Sequence, residues 1–306
     1  MSVSRNQFHQ EIIAITSAVE ITNNSVGSGL QHGPGINVLR RGALITALVA
    51  LETFIRGRTE ELLSEMARWP ASFTDLPDAF RRKATLDALV NINRYAKMLK
   101  REQGDFEGEI HREIKKMSSV TPPHFQFTKF LAGDFTGNIS DDLVKDLLST
   151  FQISDCWNSF HNLSTDVGIG VPSVKELVKS IVRDRHKSAH AAGYAPTATD
   201  VAELPKKMKC IGICFDVAMT ASVNIALNDW RLWRNGNVNW RSGLEIFFIK
   251  QENLKFRIEK INSRRALKKT HSIPDAMTYI SPANGKNTKL IIVVARDGTP
   301  SSWHIK

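Results

Sequence analysis

Two histidines four residues apart, His186 and His190, share the run Arg183-Asp184-Arg185-His186-Lys187-Ser188-Ala189-His190 with three permanent cations and one acid. Imidazole exchanges protons near neutral pH and so suits general acid–base work. A guanidinium stays charged and holds two phosphate oxygens at once. Together these residue types fit proton transfer on a phosphate ester. His186 and His190 also have the spacing of half a metal site. No Glu follows His186 as in a zincin, and the sequence offers no evident third ligand.

Position matters as much as composition. The run closes a helix expected over Val174 to about Ala191. Ser173 and Glu176 form a Ser-x-x-Glu capping box at its start, and Gly193 stands as its stop. Val174, Leu177, Val178 and Ile181 form the packing stripe, which places Arg185 on that stripe four residues later. An arginine in line with core positions needs an anionic partner or a cleft. The simpler reading is a pairing with a buried acid such as Glu52. His190 also has a simpler reading, as a cation favoured at a helix C-terminus.

The segment Ile181 to His190, followed by Gly193-Tyr194, resembles the Arg-x(4–6)-His signature of HEPN domains, in particular the RiboL-PSP-HEPN group. Leu39 to Glu52 is similar to the first long helix of that family. Asn138-Ile139-Ser140 through Leu147, with Phe151 and Trp157, is similar to the segment before its motif helix. The resemblance covers about residues 38–228. Arg265 and His271 share the spacing too, but they sit around a Lys-rich connector and not on a capped amphipathic helix.

The resemblance implies a metal-independent endoribonuclease, with no cofactor, acting in toxin or antiviral-defence settings. The 2′-hydroxyl of RNA attacks the adjacent phosphate and leaves a 2′,3′-cyclic phosphate. Arg185 and His190 are the expected catalytic residues, His186 and Glu52 support them, and Arg183 and Lys187 bind RNA. One chain supplies one such motif, so a homodimer with a composite site is expected. An antitoxin or defence-complex partner also fits that setting. Two other readings remain: a non-catalytic RNA- or nucleotide-binding HEPN module, and a dimerisation scaffold.

The elements around the motif read as mainly α. A HEPN-type helical bundle over residues 1–228 is followed by a small basic β-rich domain over 229–306. The asymmetry of charge supports this division. Residues 229–306 hold 15 Lys and Arg against 6 Asp and Glu, while residues 1–228 hold 26 against 25. That excess points to a polyanionic partner such as RNA.

Residues 23–37 read as a Gly/Ser/Asn-rich loop, and Val38 to Met66 as a long helix. Asp75 to Arg101 is helical. Residues 104–133 are less regular, with a break at Pro122-Pro123 and Phe125, Phe127 and Phe130 as anchors. Ser140 caps a helix running to about Phe151, and a turn or short helix carries Trp157. Thr197 and Asp200 offer another cap, and Met208 to Leu227 is a long apolar helix after a break at Pro205. Leu244–Ile249, Phe256–Ile261, Met277–Ile280 and Leu290–Val294 read as β, with turns at Asn284-Gly285 and Asp297-Gly298. Trp230, Trp233 and Trp240 form either a packing patch or a base-stacking platform.

The three cysteines Cys156, Cys210 and Cys214 are too few for a zinc pattern and fit a reducing compartment, with Cys210 and Cys214 on one buried helical face. The N-terminal residues lack a signal-peptide pattern. The apolar stretch Gly42 to Leu51 is too short to span a bilayer, so no membrane association and a cytoplasmic location are expected.

Overall fold

The computed structural model describes residues 2–24, 33–119, 125–133, 139–236, 239–263, 265–280 and 287–306. The turns at Pro122-Pro123 and Asn284-Gly285, and Asn138 of the family-like segment, lie outside them. The architecture is mostly helical, with one mixed sheet at the C-terminal end.

α1 (Val3–Asn24) is a full helix where the sequence reads only as a polar start. Phe8, Ile12, Ile15 and Val19 are buried along it at helical spacing. α2 (Pro34–Met66) begins four residues earlier than expected, because Pro34 occupies the first turn, where its missing N–H leaves no bond unmade. α3 (Asp78–Arg82) leads through a π-turn at Lys83–Asp87 into α4 (Ala88–Arg101). α5 (Phe106–Met117), capped by Asp105 accepting from the Gly108 N–H, replaces the irregular stretch expected there. Phe125 and Phe130 are buried, as anchors should be.

α6 (Asp141–Thr150), α7 (Cys156–Asp166), α8 (Val174–His190) and α9 (Ala198–Ala202) follow. Ser140 caps α6, and Thr197 with Asp200 forms a reciprocal capping box on α9. α10 (Leu204–Asn228) is the central helix of the fold, and Pro205 sits in its first turn instead of breaking it. The span Ala198–Asn228 is long and apolar enough to cross a membrane by composition, but 83% of its apolar window is buried inside the fold. Cys210 and Cys214 lie fully buried on α10, and all three cysteines are unpaired.

α11 (Trp230–Arg234) places Trp233 in the core, 5.6 Å from Trp69 between ring centroids, and Trp240 is buried nearby. These two rings are packing residues with no face open to a base.

β1 (Leu244–Glu252), β2 (Lys255–Lys260) and β3 (Lys268–Thr270) come next, then α12 (Ile273–Ile280), β4 (Thr288–Val294) and β5 (Pro300–Ile305). The order is β3-β2-β1-β4-β5, with β1 and β4 parallel and the other pairs antiparallel. Met277–Ile280, expected as β, is the end of α12. Its Ala276 and Ile280 pack with Phe247, Ile249 and Ile291 on one face of the sheet. Alternate residues Ile246, Leu290, Ile292 and Trp303 join the main core with α2 and α10 on the other face. β1 and β4 are therefore covered on both faces, which explains their nearly continuous apolar runs. Glu245, Glu252 and Glu259 are taken up by Lys260, Lys269 and the pair Lys250/Arg257.

One buried ion cluster ties the two ends of the chain together. Asp216 of α10 accepts from Arg5 Nε of α1 (2.5 Å), Arg58 Nε of α2 (2.7 Å) and Trp303 Nε1 of β5 (2.9 Å). Beside it, Gly212 lets Phe8 and Trp303 approach the helix backbone. A Cβ there would lie 2.6 Å from Phe8 Cε1.

Candidate functional site

α8 forms over the expected span, with the Ser173 half of the capping box present and the Glu176 carboxylate turned to Lys179 at 3.4 Å instead. Ser173 Oγ accepts the Glu176 N–H at 3.3 Å, and the helix ends at His190. Val174, Val178 and Ile181 are buried. The buried line then continues through Asp184 and Ser188, so Arg185 lies at its edge and not on it as the spacing predicts. A stripe with a 3.6-residue period can step by three or four, and here it steps by three after Ile181.

Arg185 is half-buried. Its Nε is shielded from solvent and has no hydrogen-bond partner among the described residues. Glu52 does not pair with it: the carboxylate instead accepts the backbone N–H of Ile139 at 2.5 Å. Glu52 thus anchors the chain just before α6.

His186 and His190 are both exposed, with ring centroids 4.8 Å apart and planes tilted by 51°. A cleft of about 380 Å³ is lined by Arg183, His186, Lys187, Val182 and Lys179 of α8, with Ser140 and Asp141 at the start of α6. Asp141 reaches Lys175 at 3.6 Å and Lys179 at 4.0 Å. Arg183 Nε meets Asp184 at 3.4 Å. Lys187 Nζ sits 5.7 Å above the Tyr194 ring. Neither His186 nor Lys187 has a carboxylate partner among the described residues. The structure therefore brings Arg183, His186 and Lys187 into one cationic cleft. Arg185 and His190 do not line it; they belong to the same last turns of α8, where His190 meets His186.

Two residues that the sequence motif does not single out hold this end of the helix and the chain that follows it. Arg41 of α2 donates to the Ser188 oxygen from Nε (2.8 Å) and Nη2 (2.5 Å), and Nη1 reaches the Ala192 oxygen at 3.4 Å. Arg40, buried beside it, donates to the Pro196 oxygen at 3.2 Å. The terminal carbonyls of a helix are unpaired and carry partial negative charge, so a guanidinium is a strong partner there. The available signal is the Arg40-Arg41 pair just before the apolar run Ala43–Leu51 of α2. Among the described residues no cluster of three His, Cys, Asp or Glu side chains is placed to hold a metal.

Comparison with protein-family models, curated proteins and solved structures finds no match for the chain.

Proposed function

We propose that the protein is a metal-independent endoribonuclease of the HEPN type, working at the C-terminal end of α8. The observation that carries this reading is the Arg185 guanidinium. Its buried Nε has no partner among the described residues, and it stands on the same two turns as the paired imidazoles of His186 and His190. A guanidinium beside two proton-exchanging groups is what a phosphodiester needs.

Arg185 binds the scissile phosphate and stabilises the charge that builds on its oxygens. His190 exchanges the protons, and His186 supports it from 4.8 Å away. As the 2′-oxygen–phosphorus bond forms, one imidazole takes the 2′-hydroxyl proton. As the bond to the 5′-oxygen breaks, a protonated imidazole gives its proton to that leaving oxygen. In a homodimer, the two exposed His190 side chains would serve as base and acid across a two-fold axis. Arg183 and Lys187 hold flanking phosphates through the adjoining cleft.

The test is the chemistry of the product. Labelled RNA incubated with the protein in EDTA should yield 2′,3′-cyclic phosphate ends. Fragments ending in 3′-hydroxyl and 5′-phosphate would refute the mechanism. RNA bound with salt-dependent affinity but left uncut would favour a binding module instead.

A further inference from the structure

A second cleft, of about 640 Å³, opens between α1 and the edge strand β5. His9 of α1, Lys209 of α10 and His304 of β5 line it, together with the hydroxyl side chains of Ser301 and Ser302. An adjoining recess of about 360 Å³ shares Thr16, Glu20 and Lys209 with it. The rest of that recess is largely apolar, with Val19, Ile169, Pro205 and Pro300.

The basic groups come from three separate elements and face one space. His9 Nε2 accepts the Trp303 backbone N–H at 3.3 Å, which leaves Nδ1 to carry the ring's proton. Burial, then the neighbouring charges of His304 and Arg5, hold His9 down at about 4. Burial, with Arg5 and Lys306, lowers His304 too, and burial lowers Lys209 against the opposing pull of Asp297. Arg5 is committed to Asp216. The His304 ring has no hydrogen-bond partner among the described residues. Glu20 is the carboxylate in the lining, and Lys206 adds a further cation at the recess. The cleft thus gathers basic side chains at a cost in solvation, and an anion would relieve it.

We infer that this groove binds a nucleoside monophosphate, with the phosphate among His9, His304 and Lys209 and the base in the apolar recess. The combined size falls in the range of small-molecule sites, and the division into an apolar end and a cationic end matches a base joined to a phosphate. Glu20, between the two ends, is placed as an acceptor for ribose hydroxyls. The site lies on different elements from α8, and its occupancy does not depend on RNA cleavage.

Isothermal titration of the full chain with AMP, adenosine and inorganic phosphate tests this directly. AMP should bind with a Kd below ~0.1 mM. Adenosine and phosphate should each bind at least about tenfold more weakly, since each lacks one half of the ligand. His304→Gln and Lys209→Met should each weaken AMP by about tenfold. His304 is half-exposed on a strand, so its amide replacement leaves the fold in place even if Lys209→Met loses its bond to the Pro300 oxygen. Binding should take up a proton and strengthen from pH 8 to pH 6, because the anion raises the lowered histidines. AMP failing to saturate by ~5 mM, affinity unchanged in His304→Gln, or free phosphate binding as tightly as AMP would each overturn the assignment.

Discussion

Arg41 grips the backbone oxygen of Ser188 with two nitrogens, at 2.8 and 2.5 Å, across the packed pair α2 and α8. Ser188 lies between His186 and His190, so this clasp sets where the last turn of α8 stands. Arg41→Ala should lower stability by about 1.5–3 kcal/mol, the range for a hydrogen bond to a charged group. If α8 carries the proposed site, the substitution should also lower kcat for RNA cleavage with little change in KM, since Arg41 holds the backbone between the two imidazoles. Arg41→Lys, which restores one donor, should recover part of the rate. Thermal melts and single-turnover kinetics check both effects.

The Asp216 cluster sets how the fold responds to acid. Burial pushes the Asp216 carboxyl up, but the Arg5 and Arg58 guanidiniums outweigh it and hold the group at about 2, below its ordinary 3.8. An unfolded chain takes up this proton first, so stability is lost as pH falls from 3.8 toward 2. His9 acts over a higher window. Its folded value of about 4 against an ordinary 6.5 means that stability also declines as pH falls from 6.5 toward 4. Urea titrations across pH should show both losses. His9→Gln should flatten the upper one in part, with the lowered His304 accounting for the remainder. Asp216→Asn should destabilise by about 3–5 kcal/mol at neutral pH, because the buried Arg5 guanidinium loses its counter-charge and Arg58 keeps only the more exposed Glu61 and Glu65. A stability profile flat from pH 7 to pH 4 would contradict the role of His9, and one with no loss between pH 4 and pH 2 would contradict that of Asp216.

The cationic cleft makes a separate prediction about salt. If Arg183 and Lys187 each hold one phosphate, Arg183→Ala and Lys187→Ala should weaken RNA binding. Each should also reduce the slope of log affinity against log salt by about 0.7, as for single strands. The ends of the products should stay the same. Fluorescence anisotropy of a labelled RNA over a salt series reads the slope. Unaltered slopes in both variants would remove the cleft from the RNA path.

Much of the motif helix is legible in the amino-acid sequence. The Ser173 cap, the apolar line through Ile181 and the end near His190 all follow from residue type and period. The side of the line on which Arg185 falls does not, because steps of three and four residues are both helical. In the fold the buried line runs through Asp184 and Ser188. The clasp from Arg41 is a long-range contact that no local pattern encodes, and the same holds for Asp216, a single acid in an apolar helix. α1 carries the spacing Phe8, Ile12, Ile15, Val19, diluted by polar neighbours. α12 is eight residues long, and its helical state is set by the sheet face it covers.

The proposed catalysis by Arg185 and His190 is tested most directly by one comparison. Cleavage rates and RNA affinities should be measured together, in EDTA, for the wild type, Arg185→Ala and His190→Ala. His190→Ala is predicted to lose about 10²–10⁴ in rate, the usual contribution of general acid–base catalysis. It should bind RNA nearly as well as the wild type. Arg185→Ala should lose a similar factor, with a modest loss of affinity. Rates equal to the wild type in both variants would contradict the assignment of either residue to the chemistry.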